Sequence, residues 1–280
     1  MEQEVIVEKA LNNNVVIAKH PLYKEVVLIG KGIGFNRSKG DPVPSDQAEK
    51  TFLLTDEQEM EQYMYLIKHV DHELMQFLND IIFYIEERMD RPLNEHIHIA
   101  LTDHLTFAIR RADQSIQFSN PFLFEIESLY AKEYQVAREI VEKIKKHLDI
   151  SLPDGEVGFI ALHIHSAVTD KKIRDLNKHH KLISQMIEVI EDGLEIKLVK
   201  GDVNFNRLIQ HLHRAIDRVY QGEKLGQQNN LENVLKITYP LCYNLAWKLI
   251  KVMQKQLNRP VDETEVLYLT IHLQRLTNTT

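Results

Sequence analysis

The stretch DGEVGFIALHIHSA, residues 154–167, combines an apolar helical pattern with two histidines. A second stretch, DETEVLYLTIHLQR, residues 262–275, has the same order of a glutamate, an apolar run and a histidine. The matched residues lie 109 positions apart: Glu156 and Glu265, His163 and His272. Because an internal repeat is built from one structural unit used again, the chain is predicted to form the same histidine-bearing helix twice.

The duplication extends beyond these two helices. Three further pairs match at the same offset: Tyr130 and Tyr239, Tyr134 and Tyr243, Ala137 and Ala246. LTDHLTFAIRR around His104 is similar to LIQHLHRAIDR around His211, which lies 107 positions later. Three elements in the same order at nearly constant spacing predict two all-α helical-bundle domains, at 56–172 and 173–280.

Residues 1–55 follow a different pattern. Short β-branched runs (EVIVEKA, VVIAKH, EVVLIG and IGFN) are separated by turn sequences such as NNN and GKG. This segment is therefore predicted to form a small antiparallel β-sheet of about four strands, followed by an exposed loop, SKGDPVPSD. A unit of this size buries little apolar surface, so we expect a dimer to complete its core.

The composition is that of a globular protein of several domains, with 280 residues, 27% of them charged and 44% hydrophobic. No apolar run approaches the ~20 residues that cross a bilayer, and the acidic start lacks a signal-peptide core. We therefore expect no membrane insertion. The single cysteine, Cys242, favours a reducing cytoplasm. The net charge is −7, but residues 5–40 carry six Lys or Arg against two Glu.

The histidines suggest three kinds of chemistry. Metal binding is disfavoured, because the His-x-His pairs lie in helical patterns, where such side chains diverge by about 200°; the pairs are His96/His98, His163/His165 and His211/His213. Hydrolysis is disfavoured because no Ser or Cys nucleophile motif accompanies the histidines, and Asp262 with Glu265 is interpreted as a helix capping box. The third role is that of a phosphoryl acceptor, since neutral imidazole is nucleophilic near pH 7. No cofactor, metal or enzymatic activity is expected.

Four segments then identify a family. TDHLTFAI with EVGFIALHIH, and QHLHRAID with EVLYLTIHLQ, resemble the two phosphotransferase-system regulation domains (PRDs) of BglG/LicT-type transcriptional antiterminators. LNNNVVIA with EVVLIGKGIGFNRSKGD resembles the co-antiterminator RNA-binding domain of that family. LIGKGIGF and NEHIHIALTDH are similar to its glucose-responsive, GlcT-like branch. The resemblance covers nearly the whole chain in the family's domain order.

The resemblance implies a dimeric domain that binds an RNA hairpin in the leader of a sugar transport gene and prevents termination. It places RNA contacts at six positions: Lys9, Asn14, Gly30, Lys31, Phe35 and Asn36. It makes four histidines phosphorylation sites: His104, His163, His211 and His272. The implied donors are the carrier protein HPr and a glucose-type sugar permease, Enzyme II. In the family, phosphorylation of the first PRD by Enzyme II silences the protein.

The residues by themselves leave alternatives open. Asn14 and Gly30 are also compatible with turn positions, and Phe35 with a dimer core. A PRD-containing DNA-binding activator would need a helix-turn-helix in place of the strands of residues 1–55. A helical metal-binding protein and an interaction scaffold with core histidines are further alternatives.

Overall fold

The computed structural model describes residues 5–277, apart from 14, 23, 31, 45–46, 49, 54–61, 63–64, 67–68, 115–118 and 227–228. The described residues fall into two compact units. The first takes its residues from 1–117 and 148–152, and the second from 118–147 and 153–280. None of the helices in this described part is long and apolar enough to cross a membrane.

The first unit begins with an antiparallel sheet, as the alternating runs predict. Its strands in the described residues are β1 Val5–Asn12, β2 Val15–His20, β3 Lys24–Ile29, β4 Pro42–Val43 and β5 Lys50–Leu53. Their order across the sheet is β4-β1-β2-β3-β5. The prediction of a small antiparallel sheet at the start of the chain is therefore confirmed.

Both faces of this sheet are apolar and buried. On one face Val7, Val16 and Val26 pack with Ile33 from the loop after β3. On the other face Val15, Ile17, Val27 and Ile29 pack against residues of the helical segment: Leu66, Val70, Met75 and Ile99. Since side chains alternate along a strand, β2 and β3 contribute to two cores at once. The helical residues that follow in the same chain thus supply part of the core of this small sheet.

Two details of the predicted sheet are wrong. IGFN, residues 33–36, forms successive turns and not a strand, with Ile33 N donating to Gly30 O at 3.1 Å and Phe35 N to Gly32 O at 3.0 Å. Positive φ angles at Gly32 (73°) and Asn36 (52°) are incompatible with a continuing strand. SKGDPVPSD is not simply an exposed loop, because it contains β4, which pairs with β1 and buries Val43.

The first unit also contains helices α1 His72–Met89 and α2 Ile97–Asp113. Asp71 caps α1, its side chain accepting from Glu73 N at 3.0 Å, and so satisfies one of the free amides at the helix start. Helix α2 has Leu101, Leu105 and Ala108 on its buried face. Those apolar positions recur at steps of three and four, as a helix packed on one side requires.

The regular secondary structure among the described residues of the second unit is all helical. Its helices are α3 Leu123–Leu129, α4 Ala131–Leu148, α5 Asp154–Thr169, α6 Ile173–Leu194, α7 Val203–Gln221, α8 Asn229–Thr238, α9 Pro240–Leu257 and α10 Glu265–Thr277. Helix α7 buries a stripe that includes Phe205, Leu212 and Ile216 in a core shared with α6, α9 and α10. The predicted helical fold after the sheet is confirmed.

The repeat is visible in the positions of the helices. Helices α4 and α9 have the same length, and their first residues, Ala131 and Pro240, are separated by the offset of the repeat. Tyr130 and Tyr239 each precede one of them, and each donates its backbone amide at 2.8 Å to a carbonyl four residues earlier. The predicted domain bounds, 1–55, 56–172 and 173–280, stay a prediction. The two compact units divide the chain at other positions.

Candidate functional site

The second unit brings two of the four predicted histidines together. His211 lies on α7 and His272 on α10, and their rings are 4.5 Å apart between centroids with an interplanar angle of 35°. Glu265, in the first turn of α10, places Oε2 3.4 Å from His211 Nε2. Its other oxygen accepts from Arg218 Nε at 2.6 Å. The contact between α7 and α10 therefore includes a polar group, which consists of two imidazoles, a carboxylate and a guanidinium.

The charges in this group are set by burial and by neighbours. Burial raises the pKa of Glu265, but hydrogen bonding from His211 and Arg218 outweighs it, so the pKa lies below its ordinary value. The pKa of His272 is lowered to about 4, and burial is the largest cause. The electrostatic effect of His211 comes next, and the positive charges of Arg275 and Arg207 also lower the pKa. At pH 7 Glu265 is thus ionised, whereas His272 is neutral and keeps a nucleophilic lone pair.

The interpretation of Asp262 and Glu265 as a capping box is wrong. Asp262 accepts from Thr264 N at 2.8 Å through Oδ1 and from Leu225 N at 3.1 Å through Oδ2. The Glu265 side chain points across to α7 instead of turning back to its own helix start. The sequence pattern correctly predicted that a helix starts here. It did not show that Arg218, 47 residues earlier, is the partner of Glu265.

The two histidines of the first predicted PRD lie in different compact units. His104 is half-buried on α2, beside Leu101, Leu105 and Ala108, which are buried. His163 is half-buried on α5 in the second unit. His211 and His272 are half-buried too, so all four histidines lie at the boundary between an apolar helix face and solvent.

A second group of histidines was not predicted. His165 is not among the four predicted phosphorylation sites, yet its Nδ1 lies 2.9 Å from Glu133 Oε1, and its ring stacks on Tyr130 with centroids 3.9 Å apart. The ring of Tyr130 also meets the edges of His180, at 5.6 Å, and of His213, at 5.9 Å. Tyr130 was found in the sequence as a repeat-matched residue, but no pattern indicated that histidines of α5, α6 and α7 surround it.

This second group is held mostly neutral. Burial lowers the pKa of His180 to about 3 and that of His213 to about 4. His213 Nε2 lies 3.4 Å from Asp217 Oδ2, and Lys171 Nζ lies 3.0 Å from the other oxygen of the same carboxylate. Within the described residues, no group of three or more His, Cys, Asp or Glu side chains is arranged to hold a metal ion.

On the sheet, the loop after β3 presents the described candidates for RNA contact. Phe35 is 62% exposed, and Asn36 beside it is exposed with a left-handed backbone. Gly34 N donates to Asn13 O at 2.9 Å, which holds this loop against the turn between β1 and β2. Gly30 is buried at the end of β3. Asn13 is an exposed neighbour that the sequence reading did not include, whereas Asn14 and Lys31 lie outside the described residues.

The positive charge of this region is partly neutralised. Lys19 Nζ lies 3.2 Å from Glu8, and Lys39 pairs with the other oxygen of the same carboxylate. Those two hydrogen bonds keep the pKa of Glu8 below its ordinary value. Lys9 is exposed on β1, next to a bulge where the pairing with β2 skips Glu8. Because of the bulge, the side chains of Glu8 and Lys9 do not follow the regular alternation between the two faces of the strand.

Comparisons with known proteins agree with the resemblance. A family model described as CAT RNA binding domain matches residues 5–61, and one described as PRD domain matches residues 79–167 and 184–276. The chain is 49% identical over 278 residues to the PtsGHI operon antiterminator of Bacillus subtilis, with 99% of each chain covered. It is 37% identical over 274 residues to the GlcA/glcB genes antiterminator of Staphylococcus carnosus, covering 97% of this chain and 96% of the relative.

A solved structure is also similar. The crystal structure of GlcT CAT-PRDI is 51% identical, has a TM-score of 0.54, and covers 59% of this chain and 99% of that chain. In these comparisons the chain therefore matches a CAT RNA-binding domain that is followed by PRDs.

Proposed function

The chain belongs to the GlcT-like family of antiterminators, with a CAT RNA-binding domain followed by two PRDs. From this premise we propose that it binds a hairpin in the leader RNA of a glucose phosphotransferase operon and prevents termination there. Its activity is controlled by phosphorylation of histidines in the PRDs. The match to an RNA-binding domain replaces the alternative of a DNA-binding activator.

The RNA-binding face is formed by the loop after β3 and the turn between β1 and β2. Phe35 offers an exposed ring on which a base stacks, and Asn36 offers an amide that can pair with a base edge. Lys9 supplies a charge for a phosphate, and Gly30 ends the strand that leads into the loop. The resemblance also implies RNA contacts at Asn14 and Lys31, which lie outside the described residues. The exposure of Phe35 is the observation that favours a contact surface over a core role.

The phosphoryl acceptors are His104 and His163 in the first PRD and His211 and His272 in the second. A phosphoryl group adds about two negative charges at pH 7. On His211 or His272 it would lie close to the buried carboxylate of Glu265, whose side chain is only 2% exposed. The repulsion would change how α10 packs on α7, and this gives the modification a structural effect.

The donors are proteins that carry phosphohistidine: HPr and the glucose permease Enzyme II. The chain itself catalyses no reaction, and it acts as a homodimer in the cytoplasm. The family resemblance supports the dimer, whereas the small size of the sheet does not, because residues of the helical segment complete part of its core. Sedimentation of the full chain at micromolar concentration tests it, since a monomer at all concentrations that support RNA binding would contradict the dimer.

The test of the whole proposal uses the full chain with Enzyme I, HPr and labelled phosphoenolpyruvate, with and without Enzyme II. Phosphate is mapped by mass spectrometry, and binding of the leader hairpin is measured on the same samples. We expect Enzyme II to label His104 or His163 and to reduce RNA binding. The double variant His104→Ala/His163→Ala should keep its RNA binding when Enzyme II is added.

A matched control is His165→Gln, which removes the neighbouring histidine on α5 that has no repeat counterpart. This variant should lose RNA binding in the presence of Enzyme II, as the unmodified protein does. If the His104→Ala/His163→Ala variant loses RNA binding equally, the two histidines are not the acceptors.

A further inference from the structure

The two ring nitrogens of His211 are in different environments. Nε2 is buried within the contact between α7 and α10 and lies 3.4 Å from Glu265 Oε2. A protein donor has to bring a phosphorus atom to the accepting nitrogen, along the direction of its lone pair. A nitrogen that is enclosed by protein and lies beside a carboxylate cannot be approached in this way.

The carboxylate also determines where the proton of the ring resides. A neutral imidazole has one nitrogen that donates and one that accepts, whereas an ionised carboxylate only accepts. Arg218 Nε donates to Glu265 Oε1 at 2.6 Å and so favours the ionised carboxylate. The nitrogen that faces Glu265 is therefore the one that carries hydrogen, and Nδ1 is left with the lone pair.

Resting on the proposed function, we infer that His211 accepts its phosphoryl group on Nδ1, with Glu265 as the positioning residue and Arg218 as its support. In the transfer, the N–P bond of the donor phosphohistidine breaks, and the donor nitrogen keeps the electron pair. Nδ1 of His211 supplies the pair for the new N–P bond. No proton leaves Nδ1, and the hydrogen stays on Nε2, beside the carboxylate of Glu265, while the ring gains positive charge.

The histidine that matches His211 in the first repeat has the same ring nitrogen buried. His104 matches His211, and Glu156 matches Glu265. His104 Nε2 is buried, as is His211 Nε2. At His163, by contrast, the buried nitrogen is Nδ1. The same nitrogen is thus enclosed in the first histidine of each repeat, which supports a choice of nitrogen built into the domain.

The first experiment measures the tautomer without any phosphoryl donor. The full chain is labelled with ¹⁵N-histidine, and long-range ¹H–¹⁵N correlations are recorded at pH 7.5, with His211 assigned by loss of its signals in His211→Gln. We expect the tautomer with hydrogen on Nε2. The tautomer with hydrogen on Nδ1, or an equal mixture, would overturn the inference whether or not the protein is an antiterminator.

The second experiment reads the modified nitrogen. The labelled chain is phosphorylated either by Enzyme I, HPr and phosphoenolpyruvate or by phosphoramidate, a small inorganic donor. We expect the phosphate of His211 on Nδ1 with either reagent. Phosphate on Nε2 would overturn the inference. If phosphoramidate modifies Nδ1 but HPr leaves His211 unmodified, the choice of nitrogen holds and the proposed donor is wrong.

Variants separate positioning from simple packing. Glu265→Gln keeps the shape but removes the fixed acceptor, so His211 should lose its single tautomer and its phosphorylation rate should fall by about 100-fold. Glu265→Asp should restore part of that rate. The matched control, Asp217→Asn, removes the carboxylate near His213 on the same helix and should leave the tautomer and rate of His211 unchanged. If Glu265→Gln fails to fold, the tautomer of the unmodified chain still decides the question.

Discussion

Arg218 and Glu265 form a charge pair with an N–O distance of 2.6 Å, and this pair joins α7 to α10 inside the second unit. The carboxylate is 2% exposed and the guanidinium side chain 20%. Such a pair is costly to separate, because the remaining charge stays buried without its partner. The pair thus both supports His211 and couples the two helices that carry the second set of histidines.

Removing Arg218 should therefore destabilise the second unit. We expect Arg218→Met to lower its free energy of unfolding by about 3 kcal/mol at pH 7, because Glu265 keeps its charge or has to take up a proton. The single tryptophan, Trp247 on α9, packs against the core of this unit and reports its unfolding in urea. Lys197→Met breaks the pair with Glu191, in which the lysine is almost fully exposed, and should leave the transition nearly unchanged. Equal effects of the two substitutions would argue against a buried pair.

The neutral histidines should make the second unit sensitive to acid. Burial holds the pKa of His180 at about 3 and that of His213 at about 4, below the ordinary value near 6.5. The unfolded chain takes up these protons first, so the stability is full above pH 6.5 and is lost as the pH falls toward the folded values. Each histidine should contribute a slope of about 1 kcal/mol per pH unit in this range.

This dependence is measurable by urea unfolding at several pH values between 7.5 and 5, again followed by Trp247. In that interval the carboxylates Glu133 and Glu265, whose pKa values are lowered despite burial, remain ionised and do not contribute. His180→Leu should reduce the slope by the share of one histidine. Parallel curves for the variant and the unmodified chain would mean that His180 takes up its proton as readily in the folded state as in the unfolded state.

Phe35 should matter for RNA binding and not for folding. We expect Phe35→Ala to weaken binding of the leader hairpin by about 1–3 kcal/mol through loss of a stacking surface. The melting temperature should not change, because the side chain is 62% exposed. Leu22→Ala removes an equally exposed apolar side chain, 68% exposed in the turn between β2 and β3, and should leave RNA affinity unaltered. A drop in melting temperature for Phe35→Ala alone would show a core role.

Glu8 should weaken RNA binding, because it neutralises the charge of two nearby lysines. Glu8→Gln frees Lys19 and Lys39 from a shared carboxylate, so RNA affinity at low salt should rise. A plot of log affinity against log salt should become steeper by about one unit for each lysine that reaches a phosphate. Glu87→Gln, on α1, makes the same charge change in the first unit and serves as the control. An unchanged slope for Glu8→Gln would show that these lysines face away from the RNA.

Local patterns were enough to predict the order of sheet and helices. Alternation of apolar residues along β2 and β3, and steps of three and four along α2 and α7, depend only on neighbours in the chain. The constant offset between matched residues predicted paired helices because a duplicated unit retains its lengths. The turn at residues 33–36 was taken for a strand because Ile33 and Phe35 alternate, whereas the positive φ angles at Gly32 and Asn36 determine the path.

What the sequence did not show depends on tertiary packing. Glu265 meets Arg218 only because α7 and α10 lie side by side, and its role as a cap was equally consistent with the local pattern. His165, His180 and His213 lie on three helices around one tyrosine, with no spacing that relates them. Strand β4 has two residues, which is too short for any periodic signal.

Burial lowers the pKa of His272 to about 4, so the ring has a different response to pH from that of an exposed histidine. A histidine of ordinary pKa would change its charge between about pH 5 and 8 and would respond to acid as well as to phosphate. His272 stays uncharged over that whole interval. On the proposed function, a phosphoryl group would therefore bring new charge to this ring, whereas a fall in pH within that interval would not.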